Sequence, residues 1–406
     1  MFFDVTQIGS MCSQFRQSVD LAKSEVSGTL VVMSREMPPK TDLPPSGLGL
    51  GVSLAPLTNL ELGGTARYFV EVEGLETATE AVRWARRHDI PLAVIAGGSN
   101  VVVADGGWTG IVLRMAMRGI ALEREGDVVR VTAAAGEPWD ELVARCVDDR
   151  LAGIECLAGI PGSVGATPIQ NVGAYGQEVS EVVENVQVLD LKNLEVRSLS
   201  GAECGFGYRT SSFRENPGRF LVLAVTFRLL REGTPIVKYP QLEQALRARR
   251  AVPTAAEVCE AVLELRRAKS MVVDTMDPNS RSVGSFFVNP VLDAASLAAL
   301  TEEARGCGAL LPGENLPTFP IGDGRFKVPA AWLIEHAGFE KGLRRGSVGI
   351  SDAHALALVH LGGGTTAEFV ALARDIREGV LQRFSIELLP EPVFLGFPTR
   401  NPLSDG

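Results

Sequence analysis

GIPGSVGATPIQNVGAYGQEV, running from Gly159 to Val179, decides how this chain is read. It holds five glycines, two prolines and a single charged residue, Glu178. A solvated loop carries more charge, and a core strand or helix carries fewer glycines. What the stretch offers is backbone. N–H donors at Gly162, Gly165, Gly173 and Gly176 are open to close approach, beside apolar side chains of Ile160, Val164 and Ile169 suited to line a flat aromatic ring. Gln170 and Asn171 are candidates to hydrogen-bond heteroatoms of such a ring. The plainer alternative is an irregular structural loop.

A second glycine element lies upstream. AGGSN, Ala96 to Asn100, sits between apolar runs. Gly97 and Gly98 expose successive N–H groups and Ser99 and Asn100 add side-chain donors, which together make a cradle for phosphate; a hairpin turn is the other reading. No GK[ST] follows and GxGxxG is absent, so neither a P-loop nor a Rossmann fingerprint is present. Two backbone-rich elements in an acidic chain point to a dinucleotide held without a Rossmann motif.

Downstream stretches supply side chains for chemistry. In GYRTSSF, Arg209 stands among small hydroxyl residues, where a guanidinium can clamp a carboxylate in bidentate fashion, although most arginines are surface charges. In GSFFVNP, Ser285 lies between a glycine and two phenylalanines, a partly dry place for a proton donor, or else an ordinary strand-edge serine. No GxSxG elbow surrounds it, which argues against a hydrolase nucleophile. In LLPEPVF, Glu391 sits between prolines and apolar residues; burial there raises a carboxyl pKa, and exposure on a turn does not. ELRRAK ends a helix with Arg266, Arg267 and Lys269, either a solvated face or an anion site. Tyr239 in KYPQLEQ belongs to a loop from which a ring can stack or reach a phosphate, and His354 in SDAHALAL borders a buried strand.

The bulk numbers narrow the class. The 406 residues suffice for two or three domains, and the net charge of −10 argues against a nucleic-acid partner. Six scattered cysteines without a CxxC pair read as reduced and cytoplasmic, and four histidines without HExxH or a His/Cys cluster give no metal site. No apolar run reaches membrane-spanning length, so no membrane partner is expected. Residues 1–52 read as a disordered N-terminal extension and linker, with MPPKTDLPPSGLGLG (Met37–Gly51) rich in Pro and Gly and Met33 or Met37 as possible starts. EVEGLETATEAVRWARRHDIP carries a helix that Thr77 can cap, and EPWDELVARCVDD carries another with Leu142, Val143, Cys146 and Val147 on one face. Strand patterns follow at VQVLDL, EVRSLS and FLVLAVTFRLL, and beyond Glu232 strong helical patterns dominate. The strand–helix–strand order suggests an α+β or α/β domain over 53–235, and the more helical composition beyond it a second, smaller domain over 236–397.

In the order AGGSN, GIPGSVGATPIQNVGAYGQE, CGFGYRTSSF, GSFFVNP, AAWLIEHAGFEKG, HALALVH and LPEPVF, the chain resembles the UDP-N-acetylenolpyruvoylglucosamine reductase family over roughly residues 55 to 397. The segment holding Tyr239 resembles the subtype with a substrate-covering tyrosine loop. The resemblance implies an α+β fold: a two-lobed FAD-binding domain of the vanillyl-alcohol-oxidase (PCMH) type, with lobes of about 53–120 and 121–235, followed by a smaller α+β substrate-binding domain over 236–397 whose last strand returns toward the active site, with NADPH as co-substrate and a nucleotide sugar as substrate. Ala96, Gly97, Gly98, Ser99 and Asn100 would hold the FAD pyrophosphate. Gly159, Ile160, Pro161, Gly162, Ser163 and Gly165, with Gln170, Asn171, Gly173, Ala174 and Tyr175, would wrap the flavin. Arg209 and Glu391 would bind and polarise the enolpyruvyl carboxylate, and Ser285 would give a proton to carbon 2. Tyr175, Tyr239, Arg266, Lys269, Asn289 and His354 match substrate-binding positions. Pro392 departs from the pattern, because a non-proline is common after the glutamate. The implied enzyme is a cytoplasmic flavoprotein of peptidoglycan synthesis, expected as a monomer. An oxidase of the same fold or a non-catalytic nucleotide-sugar binder are the alternatives. Because no histidine lies between His88 and His336, neither glycine loop has one to tether the flavin, and FAD is expected to be non-covalent.

Overall fold

The computed structural model describes residues 43–247 and 252–404. The first lobe is a sheet in the order β1 (Gly49–Ser53), β2 (Thr65–Val72), β5 (Trp108–Met115), β3 (Leu92–Ile95), with β1 antiparallel to β2 and the others parallel. Between β3 and β5 lies the short β4 (Val101–Val103). Helix α1 (Leu75–Arg87) covers the sheet with Ala78, Ala81, Val82 and Ala85, the spacing that made it legible. Its N-cap is Gly74, so Thr77 lies inside the helix and does not cap it; its hydroxyl stands a turn too late to meet the first free N–H groups. The linker expected through Gly51 also ends sooner, because β1 pairs with β2 from Gly49–Phe69 to Ser53–Thr65. An edge strand is held by main-chain hydrogen bonds, which a glycine-rich sequence supplies as well as any other. The expectation for residues 1–42 lies outside the described residues.

The second lobe is an antiparallel sheet in the order β9 (Glu195–Ser200), β8 (Val183–Asp190), β10 (Phe220–Arg231), β7 (Val128–Ala134), β6 (Ile120–Glu125). Helix α2 (Trp139–Asp148) packs on it through Trp139, Leu142, Val143 and Cys146, with Trp139 and Phe227 ring centroids 5.6 Å apart. Two further helices, α3 (Pro240–Leu246) and α4 (Ala255–Arg267), join this same core through Leu242, Leu246, Val258, Ala261 and Val262. Here the structure differs from the boundary expected near 236: the change to helical composition there does not start a new core, since these apolar faces bury against the lobe before them.

The separate C-terminal core begins with β11 (Ser282–Ser285). It holds the sheet β11–β14–β13–β12 (β12 Arg344–Arg345, β13 Val348–Ile350, β14 Ala357–His360) and helices α5 (Ala294–Gly306), α6 (Ala330–His336) and α7 (Thr366–Phe384). Phe286, Phe369 and Phe384 are buried at its centre, each contributing about 2–3 kcal/mol of transfer free energy. Helix α7 starts with a capping box of Thr365 and Glu368, and Asp105 from the first lobe accepts the N–H groups of Thr366 (2.7 Å) and Ala367 (2.9 Å). Leu60, Leu62 and Val102 also enter this core from the first lobe. The chain then returns as β15 (Val393–Leu395), pairing in parallel with β4 directly beside the first glycine loop.

Candidate functional site

The two glycine loops press backbone to backbone. A Cβ on Gly97 would lie 2.6 Å from the Gly162 Cα, and a Cβ on Gly98, whose φ is +65°, would run into the Leu57 carbonyl oxygen. Side chains are therefore excluded here before any ligand is considered. The contact also aims main chain at an opening. The N–H groups of Gly97, Gly98, Ser99, Asn100, Gly162 and Ser163 find no acceptor among the described residues, and the buried Ser163 hydroxyl has no partner among them either. An array of unused donors, free of carboxylates and shaped by glycine, fits the pyrophosphate of FAD.

This array opens onto a cavity of about 580 Å³. Ala96, Gly97, Gly98, Ser99, Asn100, Ile160, Pro161, Gly162, Ser163, Gly165, Gln170, Gly173, Ala174 and Tyr175 line it, and Trp139, Ile169 and Val172 add apolar surface. Two predicted cofactor residues do not. Gly159 stands behind the wall, its N–H given to the Asp140 carboxylate at 2.6 Å. Asn171 is buried with its side chain consumed: it donates to Glu178 (2.7 Å) and the Gly207 carbonyl (3.0 Å) and accepts from the Ser180 N–H (3.1 Å). It staples the loop to the GYRT turn instead of facing a ring.

Arg209, Ser285, Glu391, Tyr239, Arg266, Lys269, Asn289 and His354 all reach the same cavity, from elements spread over the last half of the chain. Arg209 adopts a φ of +54° in its turn, and its guanidinium donates to the carbonyls of Gly173 (2.6 Å) and Asn171 (3.4 Å). Its Nε stands 3.6 Å from Glu391 Oε1. Burial pushes the Glu391 carboxyl above its usual range, against the opposing pull of Arg209 and Arg214. Ser285, at the end of β11, has a hydroxyl without a partner among the described residues.

In the cavity wall, Tyr175 and Tyr239 meet edge to face with centroids 5.4 Å apart. Lys269 lies over Tyr175 and donates to Gln241 at 2.9 Å; burial and the neighbouring Arg266 lower its pKa. Arg266 is buried, donates to the Met271 carbonyl at 2.6 Å and leaves its Nε without a partner among the described residues. His354 is driven down to about 4 by burial and by Lys269, Lys341 and Arg266, so it is neutral at pH 7.

Three residues escaped the sequence reading. Arg214, five positions after Arg209, lines the cavity and bonds Gln170 and the Glu391 carbonyl. Tyr208 lines it with a hydroxyl 3.4 Å from Asn289 Nδ2. Lys327, half-buried over the Tyr208 ring and lowered by burial and by Arg209, stands just behind. Both Arg214 and Tyr208 lie within or next to the quoted GYRTSSF, and a cation in that stretch was the available signal.

A model of an FAD-binding domain matches residues 66–200, and a model of the C-terminal domain of UDP-N-acetylenolpyruvoylglucosamine reductase matches residues 277–395. A reductase of that name from Thermobifida fusca is 49% identical over 350 residues, covering 85% of this chain and 97% of the relative. Its counterpart from Saccharopolyspora erythraea is 46% identical, covering 85% and 95%. Among solved structures, the UDP-N-acetylenolpyruvylglucosamine reductase of Thermus caldophilus aligns with a TM-score of 0.57 at 25% identity, over 85% of this chain and 97% of that one.

Proposed function

The chain belongs to the UDP-N-acetylenolpyruvoylglucosamine reductase family, and on that premise we propose how its own residues carry the reaction. The protein is an FAD-containing oxidoreductase that converts UDP-N-acetylglucosamine enolpyruvate to UDP-N-acetylmuramate for peptidoglycan synthesis, with NADPH as co-substrate. Bound FAD supplies the hydride relay from NADPH to carbon 3 of the enolpyruvyl ether. The free N–H groups of the two glycine loops and Ser163 hold the cofactor, and no histidine of either loop is present to tether it.

The observation that carries the reading is the Arg209–Glu391 pair at 3.6 Å in the same cavity as the glycine cradle and Ser285. Hydride arriving at carbon 3 leaves an enolate whose charge spreads onto the substrate carboxylate. Arg209, fixed by two carbonyls, is a preorganised donor for that charge. Glu391 donates a second hydrogen bond while it is protonated, the form that burial favours. Ser285 then gives its proton to carbon 2; its hydroxyl is weakly acidic, which suits a strongly basic enolate in a partly dry site. Tyr239 and Tyr175 close over the substrate, Arg266 and Lys269 meet its anionic groups, and Asn289 and the neutral His354 offer neutral hydrogen bonds. A cytoplasmic monomer is the form proposed; no described helix is long and apolar enough to cross a membrane.

The test is stopped-flow absorbance of the oxidised flavin band. Protein reduced anaerobically by NADPH and mixed with UDP-N-acetylglucosamine enolpyruvate is expected to regain the band within one turnover. Reduction without reoxidation by this substrate would overturn the reading.

A further inference from the structure

Arg214 is a cation in the cavity wall with no carboxylate oxygen at ion-pair distance among the described residues. It lies in the short helical turn Ser212–Glu215, which the Ser211 side chain caps. Burial disfavours its charge, and Arg209 nearby adds like-charge repulsion. Its hydrogen bonds go to two neutral acceptors: Gln170 Oε1 at 3.1 Å and the Glu391 carbonyl at 3.2 Å. Asn100 donates through Nδ2 to the same two oxygens, at 2.7 Å and 3.5 Å. Four segments thus meet on two atoms: the first glycine loop, the second, the turn after Arg209, and the returning C-terminal strand.

The double donation has a chemical consequence. With Gln170 Oε1 occupied by Arg214 and Asn100, the amide orientation is fixed, and its Nε2 donors stay unused among the described residues on a side chain that lines the cavity. Gln170 is thereby set as a donor, facing a group rich in acceptors. Glu391 is set by the same fork through its main chain, with its N–H given to the Phe286 carbonyl at 2.8 Å.

We propose that Arg214 is a positioning residue whose planar fork fixes the Gln170 amide and the Glu391 main chain together, so that the cofactor cradle and the substrate-binding carboxyl are aligned as one unit. This rests on the reading of Glu391 given above. The charged and titratable groups facing Glu391 are Arg209, Arg214 and the Tyr208 hydroxyl, which feels its charge. Removing Arg214 takes away one of two cations that favour the ionised carboxylate, so protonated Glu391 persists to higher pH.

The experiment compares FAD-loaded wild type, Arg214→Leu and Arg214→Lys in single-turnover oxidation of the reduced enzyme by the enolpyruvyl substrate across pH, with visible flavin spectra. Arg214→Leu is expected to lower the plateau rate by about tenfold or more, as for a lost charge-assisted hydrogen bond. Its alkaline limb is expected to move up by about half a pH unit or more. Arg214→Lys, a point charge without the fork, is expected to restore the limb and not the plateau. Both variants shift the flavin spectrum as the Gln170 amide is released. In Arg214→Leu, a plateau that falls with the limb unmoved marks a merely structural residue and overturns the proposal, as does full rescue by lysine. If Arg214→Leu does not retain FAD, the plateau and the flavin spectrum of Arg214→Lys decide: a lowered plateau with a shifted spectrum is expected, and a wild-type value of either overturns the proposal. Should wild type itself not reoxidise, the functional reading fails separately, and spectra identical in all three proteins overturn the positioning role.

Discussion

Ser285 ends β11 with its hydroxyl on the cavity and no partner among the described residues, so its removal leaves the surrounding packing intact. Ser285→Ala is expected to leave flavin reduction by NADPH near wild type and to slow reoxidation by the enolpyruvyl substrate by about 10²–10⁴-fold, the range for a positioned proton donor. Equal slowing of both half-reactions, read by stopped flow, would remove Ser285 from the proton transfer. His354 gives a stability prediction. Its pKa falls from 6.5 to about 4 on folding, so below 6.5 the unfolded chain takes a proton that the native site refuses. Its contribution is complete above pH 6.5 and lost as pH falls toward 4. The urea midpoint of His354→Asn is expected to drop less than that of wild type across this window, and parallel curves would contradict the half-buried, neutral histidine.

The glycine loops belong to the scale of the element. Part of their composition serves the fold directly, because loops that touch main chain to main chain have no space for Cβ atoms at Gly97 or Gly98. Gly98→Ala combines a positive φ with a collision against the Leu57 carbonyl, and is expected to cost about 2 kcal/mol or more and to reduce FAD retention. Differential scanning of the apoprotein separates the two effects; an unchanged Tm would mean that the loop yields easily. Helices α1, α2, α5 and α7 were legible because each buries one stripe at helical spacing. β1 was not, since an edge strand can be made from Gly and Leu that look like linker.

At the scale of the molecule, the glycine cradle and the acid–base side chains were legible as local motifs, and their convergence in one cavity was not. Periodicity reports what a segment buries and is silent on which distant segment it buries against. Hence α3 and α4, read as the start of another domain, complete the core before them. For the same reason Asn171 was read as a ligand contact: an amide in a glycine loop has the right chemistry, and only the fold reveals that Glu178, Gly207 and Ser180 already use it. Arg214 gave no periodic signal at all, since its partners lie 44 and 177 residues away.

The pairing of β15 with β4 also has a consequence in time. Val393 donates its N–H to the Asn100 carbonyl at 3.0 Å and Ala104 donates to Leu395 at 2.8 Å, so the wall of the first glycine loop is finished by residues made long after it. On the ribosome, the N-terminal lobes emerge and pack long before that strand exists. Ribosome-bound chains in which residues 393–395 have not yet emerged are therefore expected to bind FAD poorly, and chains in which they have emerged to bind it well. The cofactor is gripped only once the returning strand has been made, which ties flavin capture to the progress of translation.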